Sequence, residues 1–105
     1  MGARERNKGA RGERELAAWL RERDYDARRG QQFSGGPESP DVVCPDVPFH
    51  FECKRNERLS LYPAMAQAIA DAGDKVPVVA HRRNHGEWLA VLRLEDLIKI
   101  LEGSP

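Results

Sequence analysis

The alternation of apolar and polar positions along the chain predicts three helices and five strands. Apolar residues recur three and four positions apart, as on one face of a helix, in the stretches 8–23, 61–72 and 94–101. Short apolar runs bounded by turn-forming residues predict strands at 27–33, 42–44, 49–54, 76–81 and 87–92. The order helix, three strands, helix, two strands, helix predicts an α/β domain with a mixed central sheet flanked by helices.

Each predicted helix carries an apolar face that we expect to pack in the core. In chain order these faces are Leu16, Ala17 and Leu20, then Leu61, Met65, Ala68, Ile69 and Ala72, then Leu94, Leu97, Ile98 and Leu101. Glu13 lies on the first face near the helix start, and is either a boundary residue reaching solvent or an inward-pointing ligand. Ser60 and Gly73 are the expected N-cap and C-terminal stop of the second helix. Gln67 is expected to be exposed. Trp88 and the third helix are expected in the core, with a dimer surface as the alternative.

The pattern of residues 41–54 predicts a β-hairpin with one polar face. Pro45-Asp46-Val47-Pro48 is a turn-forming cluster between two apolar runs. A reversal centred on this cluster pairs Asp41 with Glu52, with Cβ atoms about 4.5–5.5 Å apart. Because side chains alternate between the faces of a strand, Lys54 shares the face of Glu52. The opposite face carries Phe49, Phe51 and Cys53.

Two carboxylates and an ammonium group on one strand face suit metal-dependent phosphodiester chemistry. Mg²⁺ prefers oxygen ligands and binds through one or two carboxylates plus a substrate phosphate. Such an ion activates water and stabilises the charge on a phosphodiester under attack. Lys54 is placed to position the water or to neutralise a phosphoryl oxygen. The alternative is a salt-bridged surface hairpin, since Asp, Glu and Lys are common on exposed strand faces.

Two motifs resemble a known nuclease family. Pro40-Asp41 followed by Glu52-Cys53-Lys54 resembles the signature of the PD-(D/E)XK nuclease superfamily. The segment Lys8-Gly9-Ala10-Arg11-Gly12-Glu13-Arg14-Glu15-Leu16 resembles the opening of the archaeal-type Holliday junction resolvases, which are also found in phages. The resemblance implies a restriction-endonuclease-like core.

The resemblance also implies a Mg²⁺-dependent endonuclease, with Mn²⁺ expected to substitute, that cuts four-way DNA junctions during recombination. The implied catalytic residues are Glu13, Asp41, Glu52 and Lys54. The implied metal ligands are Asp41, Glu52, Glu13 and the backbone carbonyl of Cys53. Symmetric cutting requires two active sites, so a homodimer is implied. Two alternatives stay open: a nickase or repair nuclease of the same superfamily without junction specificity, and a non-catalytic DNA-binding module.

Basic residues around the predicted site are expected to contact DNA. The family carries a DNA-contacting arginine that Arg29 matches best, and a serine before its aspartate that either Ser34 or Ser39 matches. The full set of expected contacts is Lys8, Arg11, Arg14, Arg28, Arg29, Ser34, Ser39, Arg55 and Arg58. A solvated charge cluster is the alternative for Arg28 and Arg29. Residues 1–7 are expected to form a flexible basic arm or a frayed tail, and residues 34–39 a mobile loop.

Composition limits the other possibilities. The 105 residues support one domain. The 17 basic and 17 acidic side chains balance, so net charge indicates a nucleic-acid partner only if bound cations neutralise the site carboxylates. No apolar stretch approaches the roughly 20 residues of a membrane span. We therefore expect a cytoplasmic protein without a membrane partner, in the host cytoplasm if the gene is a phage gene.

Cysteine and histidine positions do not indicate a metal site. Cys44 and Cys53 are expected to be buried thiols. His81 and His85 are four positions apart, but the further ligands that a zinc site needs are not near them in the sequence.

Overall fold

Within the residues that the structure describes, the three helices and five strands occur in the predicted order. This computed structural model describes residues 2–30 and 41–103, with the backbone alone described for residues 2–8. The helices are α1 (Gly2–Arg21), α2 (Leu61–Ala72) and α3 (Leu94–Leu101). The strands are β1 (Arg28–Arg29), β2 (Val42–Val43), β3 (Phe49–Arg55), β4 (Val76–Arg82) and β5 (Leu89–Val91).

The five strands form a mixed sheet in the order β1-β2-β3-β4-β5. β3 and β4 run parallel and pair along their whole length, from Phe49 with Val76 to Arg55 with Arg82. The other neighbouring strands are antiparallel. Parallel neighbours need a crossover connection, and α2 supplies it between β3 and β4. The arrangement is an α/β fold consistent with the restriction-endonuclease-like core that the resemblance implied.

α1 and α2 cover different faces of the sheet. α1 packs on β1, β2 and β3, where Leu16 and Phe51 belong to the same core cluster. That cluster consists of Leu16, Ala17, Leu20, Ala27, Val42, Cys44, Phe51, Val78 and Ala80. α2 packs on β3 and β4, where Ala68 meets Val79. Because Glu52 pairs with Val79 across the β3–β4 ladder, its side chain lies on the α2 face.

The buried face of α2 differs from the predicted one. Its buried residues are Ala64, Ala68 and Ala72. Ile69, predicted to lie in the core, is exposed. Small alanine side chains let the helix lie close to the sheet, and this close packing leaves larger side chains at the edges of the contact. Ser60 occupies the N-cap position without a capping hydrogen bond from its side chain, and Gly73 follows the helix with a φ of 58°.

The ends of α1 and of the short strands differ from the prediction. α1 begins at Gly2, so it extends into the expected flexible arm of residues 1–7. Ala, Arg, Glu and Lys favour helix even where no apolar face is present. β1 covers only part of its predicted range, and residues 31–40, which include the expected mobile loop, lie outside the described residues. β5 is likewise shorter than predicted.

α1 lies very close to β3 at Gly12. A Cβ atom at this position would lie 2.5 Å from the Arg55 Cβ and 3.6 Å from the Cys53 Sγ. Real Cβ atoms do not approach other atoms so closely, so the contact between helix and strand requires glycine here.

α3 carries its predicted apolar face on the outside of the molecule. All four residues of this face are exposed, Leu94 and Leu101 by 71% and 73%, and Leu97 and Ile98 to a lesser extent. The residue of α3 that is buried is Asp96, which pairs with Arg93 at 2.9 Å. The prediction that α3 packs in the core is therefore wrong. Nothing in the described part of the chain covers its apolar face. Trp88, also expected in the core, is half-buried against the larger cluster.

The cysteines agree with the expected thiol chemistry. Cys44 is buried, Cys53 is partly buried, and both are free thiols. Burial raises the pKa of each thiol, which keeps them protonated and unreactive at neutral pH. Across residues 2–30 and 41–103, no helix has the length and apolarity needed to cross a membrane.

Candidate active site

β2 and β3 bring two carboxylates side by side. The strands pair at Val42 and Phe51, and this register places Asp41 opposite Glu52, as the sequence predicted. The amide of Asp41 donates a hydrogen bond to the Phe51 carbonyl at 3.3 Å. The Asp41 carboxylate accepts one at its Oδ2 from the Cys53 amide at 2.7 Å. Asp41 is therefore held against β3 beside the acidic side chain of Glu52.

The two carboxylates share a poorly solvated environment. Burial raises the pKa of Asp41 to about 7, and the neighbouring charge of Glu52 adds to the rise. Burial also raises the pKa of Glu52, although Lys54 opposes this shift. Two adjacent carboxylates repel each other when both are ionised, and a cation bound between them removes the repulsion. The oxygen ligands and their mutual repulsion fit a hard divalent cation such as Mg²⁺.

Lys54 lies between the carboxylate pair and an open cavity. Its Nζ is 3.6 Å from Glu52 Oε2. It lines the cavity, which extends to the first half of α2, together with Gln67. Gln67 is exposed, as predicted. Its amide donates a hydrogen bond to Asp71 Oδ2 at 2.6 Å. The ammonium group of Lys54 is thus available to a phosphate that enters from the solvent side.

The Glu13 side chain on α1 is largely shielded from solvent. Its side chain is 13% exposed, and its Oε1 accepts a hydrogen bond from Arg29 Nε at 2.7 Å. Burial is the main cause of the raised pKa values of Asp41 and Glu52, and the charge of Glu13 is a smaller cause in both. The three carboxylates are therefore close enough to interact. The ligand role of Glu13 and the DNA contact of Arg29 stay predictions.

Two residues that the sequence analysis did not identify join Glu52 on the α2 side. Ligand atoms of His50, Glu52 and Asp71 lie within 4.8 Å of one another, so the group could hold a metal ion. His50 precedes Glu52 by two positions on β3, so the two-residue period of a strand was the signal that could have identified it. Asp71 comes from the last turn of α2, which only the tertiary structure brings to β3. Burial lowers the pKa of His50, so its imidazole is neutral at pH 7.

The residues expected to contact DNA differ in their ion pairs. Arg14, Arg28 and Arg58 are exposed and form no ion pair within the described residues, whereas Arg29, also exposed, pairs with Glu13. Arg11 and Arg55 both bind Glu15, Arg11 through an exposed pair and Arg55 with a side chain only 10% exposed. The side chains of Lys8, Ser34 and Ser39 lie outside the described residues. Arg14, Arg28 and Arg58 are therefore the expected contacts that would not have to break an ion pair of the described residues to bind a phosphate.

Glu15 on α1 pairs with three arginines, and two of them, Arg55 on β3 and Arg82 on β4, join the helix to the sheet. Its carboxylate lies 2.9 Å from Arg55, 3.1 Å from Arg82 and 3.3 Å from Arg11. Burial acts to raise the pKa of Glu15, but the hydrogen bond and charge of Arg55, with the charges of Arg82 and Arg11, lower it overall. Arg55 also donates a hydrogen bond to Asn84 at 3.0 Å. This network holds α1 against the strands that carry the carboxylate pair.

Comparison with known proteins gives the family. A family model described as "Phage putative PDDEXK endonuclease" matches residues 4–104 of the chain. No curated protein and no solved structure shows a significant match. The matched range covers nearly the whole chain and includes the motif formed by Asp41, Glu52 and Lys54. The chain therefore belongs to the phage PD-(D/E)XK endonuclease family.

Proposed function

We propose that the protein is a Mg²⁺-dependent endonuclease that cleaves phosphodiesters at four-way DNA junctions during recombination. The observation that carries the proposal is the pairing of Asp41 with Glu52, two carboxylates whose mutual repulsion a bound cation would remove. Family membership supports the nuclease chemistry. The resemblance of residues 8–16 to the opening of junction resolvases supports the substrate. Mn²⁺ is expected to replace Mg²⁺.

We assign a role to each residue of the proposed site. Asp41 and Glu52 would hold Mg²⁺ through their carboxylates, and the Cys53 backbone carbonyl is the proposed third ligand. When bound, Mg²⁺ would lower the pKa of a water molecule and offset charge on the phosphate. Lys54, held beside Glu52, positions the attacking water or neutralises a phosphoryl oxygen. Glu13 completes or supports the ligand set from α1.

The proposed partner is branched DNA bound by a homodimer in the cytoplasm of an infected host. Arg14, Arg28 and Arg58 present exposed cations to the phosphate backbone. Two symmetric incisions need two active sites related by a two-fold axis. We assign the dimer contact to the exposed apolar face of α3, because a contiguous apolar surface of this kind is typical of an interface.

A nuclease without junction specificity is the second candidate. The matched family is described by its endonuclease motif and not by a junction substrate, and the same carboxylate pair would serve a nickase or a repair enzyme. A non-catalytic DNA-binding module is disfavoured, because Asp41, Glu52 and Lys54 are all present.

Cleavage of a synthetic four-way junction, beside a linear duplex of the same sequence, tests the proposal. Each substrate is incubated in Mg²⁺ or in EDTA with the wild type, with Glu52→Gln and with Glu87→Gln, which removes an exposed carboxylate between β4 and β5. We expect paired symmetric nicks in the junction alone and with Mg²⁺ alone. Glu52→Gln should slow cleavage by at least about 100-fold, and Glu87→Gln should not change it.

Two outcomes would overturn parts of the proposal. Equal cutting of junction and duplex would show that the protein is a nuclease without junction specificity. Tight DNA binding without cutting, in both Mg²⁺ and Mn²⁺, would rule out the nuclease function and favour a non-catalytic DNA-binding module.

A further inference from the structure

A cluster on the α2 side of β3 has the composition of a transition-metal site. His50 and Glu52 are neighbours on one face of β3, and Asp71 reaches them from the last turn of α2. One ligand atom of each residue lies within 4.8 Å of the others. Ligand atoms of a tetrahedral Zn²⁺ with bonds of about 2.1 Å lie about 3.4 Å apart. Side-chain rotations that move these atoms by about 1 Å therefore close the cluster around an ion.

His50 distinguishes this cluster from a group of surface acids. The residue is 3% exposed, and its Nε2 is buried without a hydrogen-bond partner among the described residues. Buried polar atoms in native structures are nearly always paired, and an unpaired one calls for an explanation. Neutral imidazole is the commonest metal ligand in proteins. A metal ion held together with the two carboxylates would satisfy the ring.

The surroundings of the cluster supply further features of a metal site. The Gln67 amide donates a 2.6 Å hydrogen bond to Asp71 Oδ2, and outer contacts of this kind orient ligating carboxylates. Lys54 lies 3.6 Å from Glu52 Oε2 and fixes the second carboxylate in a similar way. An open cavity of about 400 Å³, whose lining includes His50 and Asp71, gives an ion a path from solvent.

We propose that His50, Glu52 and Asp71 bind a transition metal such as Zn²⁺ at a second site. This site adjoins the Mg²⁺ pair of Asp41 and Glu52 and shares Glu52 with it. An imidazole ligand favours Zn²⁺, whereas Mg²⁺ sites are built from oxygen ligands. The two oxygens of the Glu52 carboxylate allow one oxygen to serve each cation. Because the second site needs neither DNA nor cleavage, it stands or falls independently of the proposed function.

Zinc binding by the metal-free protein in the absence of DNA tests the inference. Titration of Zn²⁺ against a chromophoric zinc indicator gives the affinity of the wild type and of each variant. His50→Gln and Asp71→Asn should each weaken binding at least about tenfold, because each removes one ligand. Asp74→Asn, an exposed aspartate three positions after Asp71, should stay within about threefold of the wild type.

Thermal unfolding shows whether each variant is folded and gives a second readout. Zn²⁺ should raise the melting temperature of the wild type and of Asp74→Asn more than that of Asp71→Asn. If His50→Gln does not fold, Asp71→Asn carries the test, because it changes only a partly buried side chain. Unchanged zinc affinity in Asp71→Asn, or an equal loss in Asp74→Asn, would overturn the second site.

The same variants separate this inference from the proposed function. If the protein cleaves junctions but its zinc affinity does not depend on Asp71, the second site is ruled out and the proposed function stands. If zinc binding requires His50 and Asp71 but the protein cuts no DNA, the nuclease function is ruled out and the second site stands.

Discussion

Replacement of Asp41 by Asn should make the metal-free protein more stable although it removes a proposed Mg²⁺ ligand. Burial, together with the charge of Glu52, raises the pKa of Asp41 from 3.8 to about 7. At pH 5 the folded protein therefore keeps a proton that the unfolded chain has mostly released. The stability that protonated Asp41 supplies is complete below pH 3.8 and is lost as the pH rises through about 7.

The magnitude follows from the difference between the two pKa values. Between pH 5 and pH 7 the folded state binds about one more proton at Asp41 than the unfolded state does. The free energy of unfolding therefore falls by about 1.4 kcal/mol for each pH unit. The wild type should thus lose about 3 kcal/mol of unfolding free energy between pH 5 and pH 8 through this group. Asp41→Asn has no such proton to lose, and its amide oxygen can still accept the hydrogen bond from the Cys53 amide. Its stability should change less over the same interval.

Urea unfolding in EDTA at pH 5 and pH 8 measures this effect. The variants are Asp41→Asn and, as a control for the loss of one exposed carboxylate, Glu87→Gln. At pH 8 we expect Asp41→Asn to exceed the wild type in stability and Glu87→Gln to match it. Mg²⁺ at 100 times its dissociation constant should stabilise the wild type by about 2.7 kcal/mol and Asp41→Asn by less. Parallel pH dependence in the wild type and Asp41→Asn would refute the reasoning.

Two further predictions concern the contact between α1 and the sheet. Gly12→Ala should lower the free energy of unfolding by about 1–3 kcal/mol, because its Cβ would lie 2.5 Å from the Arg55 Cβ. Gly9→Ala meets nothing within 4 Å and should stabilise α1 by up to about 1 kcal/mol; equal urea-unfolding midpoints for the two variants would contradict this. Glu15→Ala should cost about 2–3 kcal/mol, because it leaves the mostly buried Arg55 without its carboxylate. Arg11→Ala breaks only an exposed pair and should cost about 0.5 kcal/mol or less, so similar melting temperatures for these two variants would exclude the proposed anchoring role.

Local sequence signals were sufficient to predict the elements and the carboxylate register. Pro45 and Pro48 confine the reversal between β2 and β3, so the two-residue period of a strand determines that Asp41 faces Glu52. Gly73, with its φ of 58°, marks the end of α2 in the same local way. These signals act over a few residues and need no knowledge of the rest of the fold.

Features that depend on tertiary packing could not be predicted in this way. Leu94 and Leu101 lie on one face of α3, as the periodicity indicated, yet both are exposed. Periodicity identifies an apolar face and carries no information about what packs against it. Similarly, Asp71 approaches His50 only because the crossover through α2 returns the chain to the sheet. Nothing in the spacing of these two residues along the chain indicates their contact.

The proposed Mg²⁺ pair joins a strand with a long hydrogen-bonded ladder to a strand with a short one. Glu52 lies on β3, which pairs with β4 along its whole length, whereas Asp41 directly precedes β2, a strand of two residues. Few backbone hydrogen bonds hold β2 to β3, but separation of the two strands would also take Val42 out of the core. A cation bound by both carboxylates links the two strands, and its residence time depends on how often they separate. The rate of metal exchange is therefore a property of the pairing of β2 with β3 as well as of the two carboxylates.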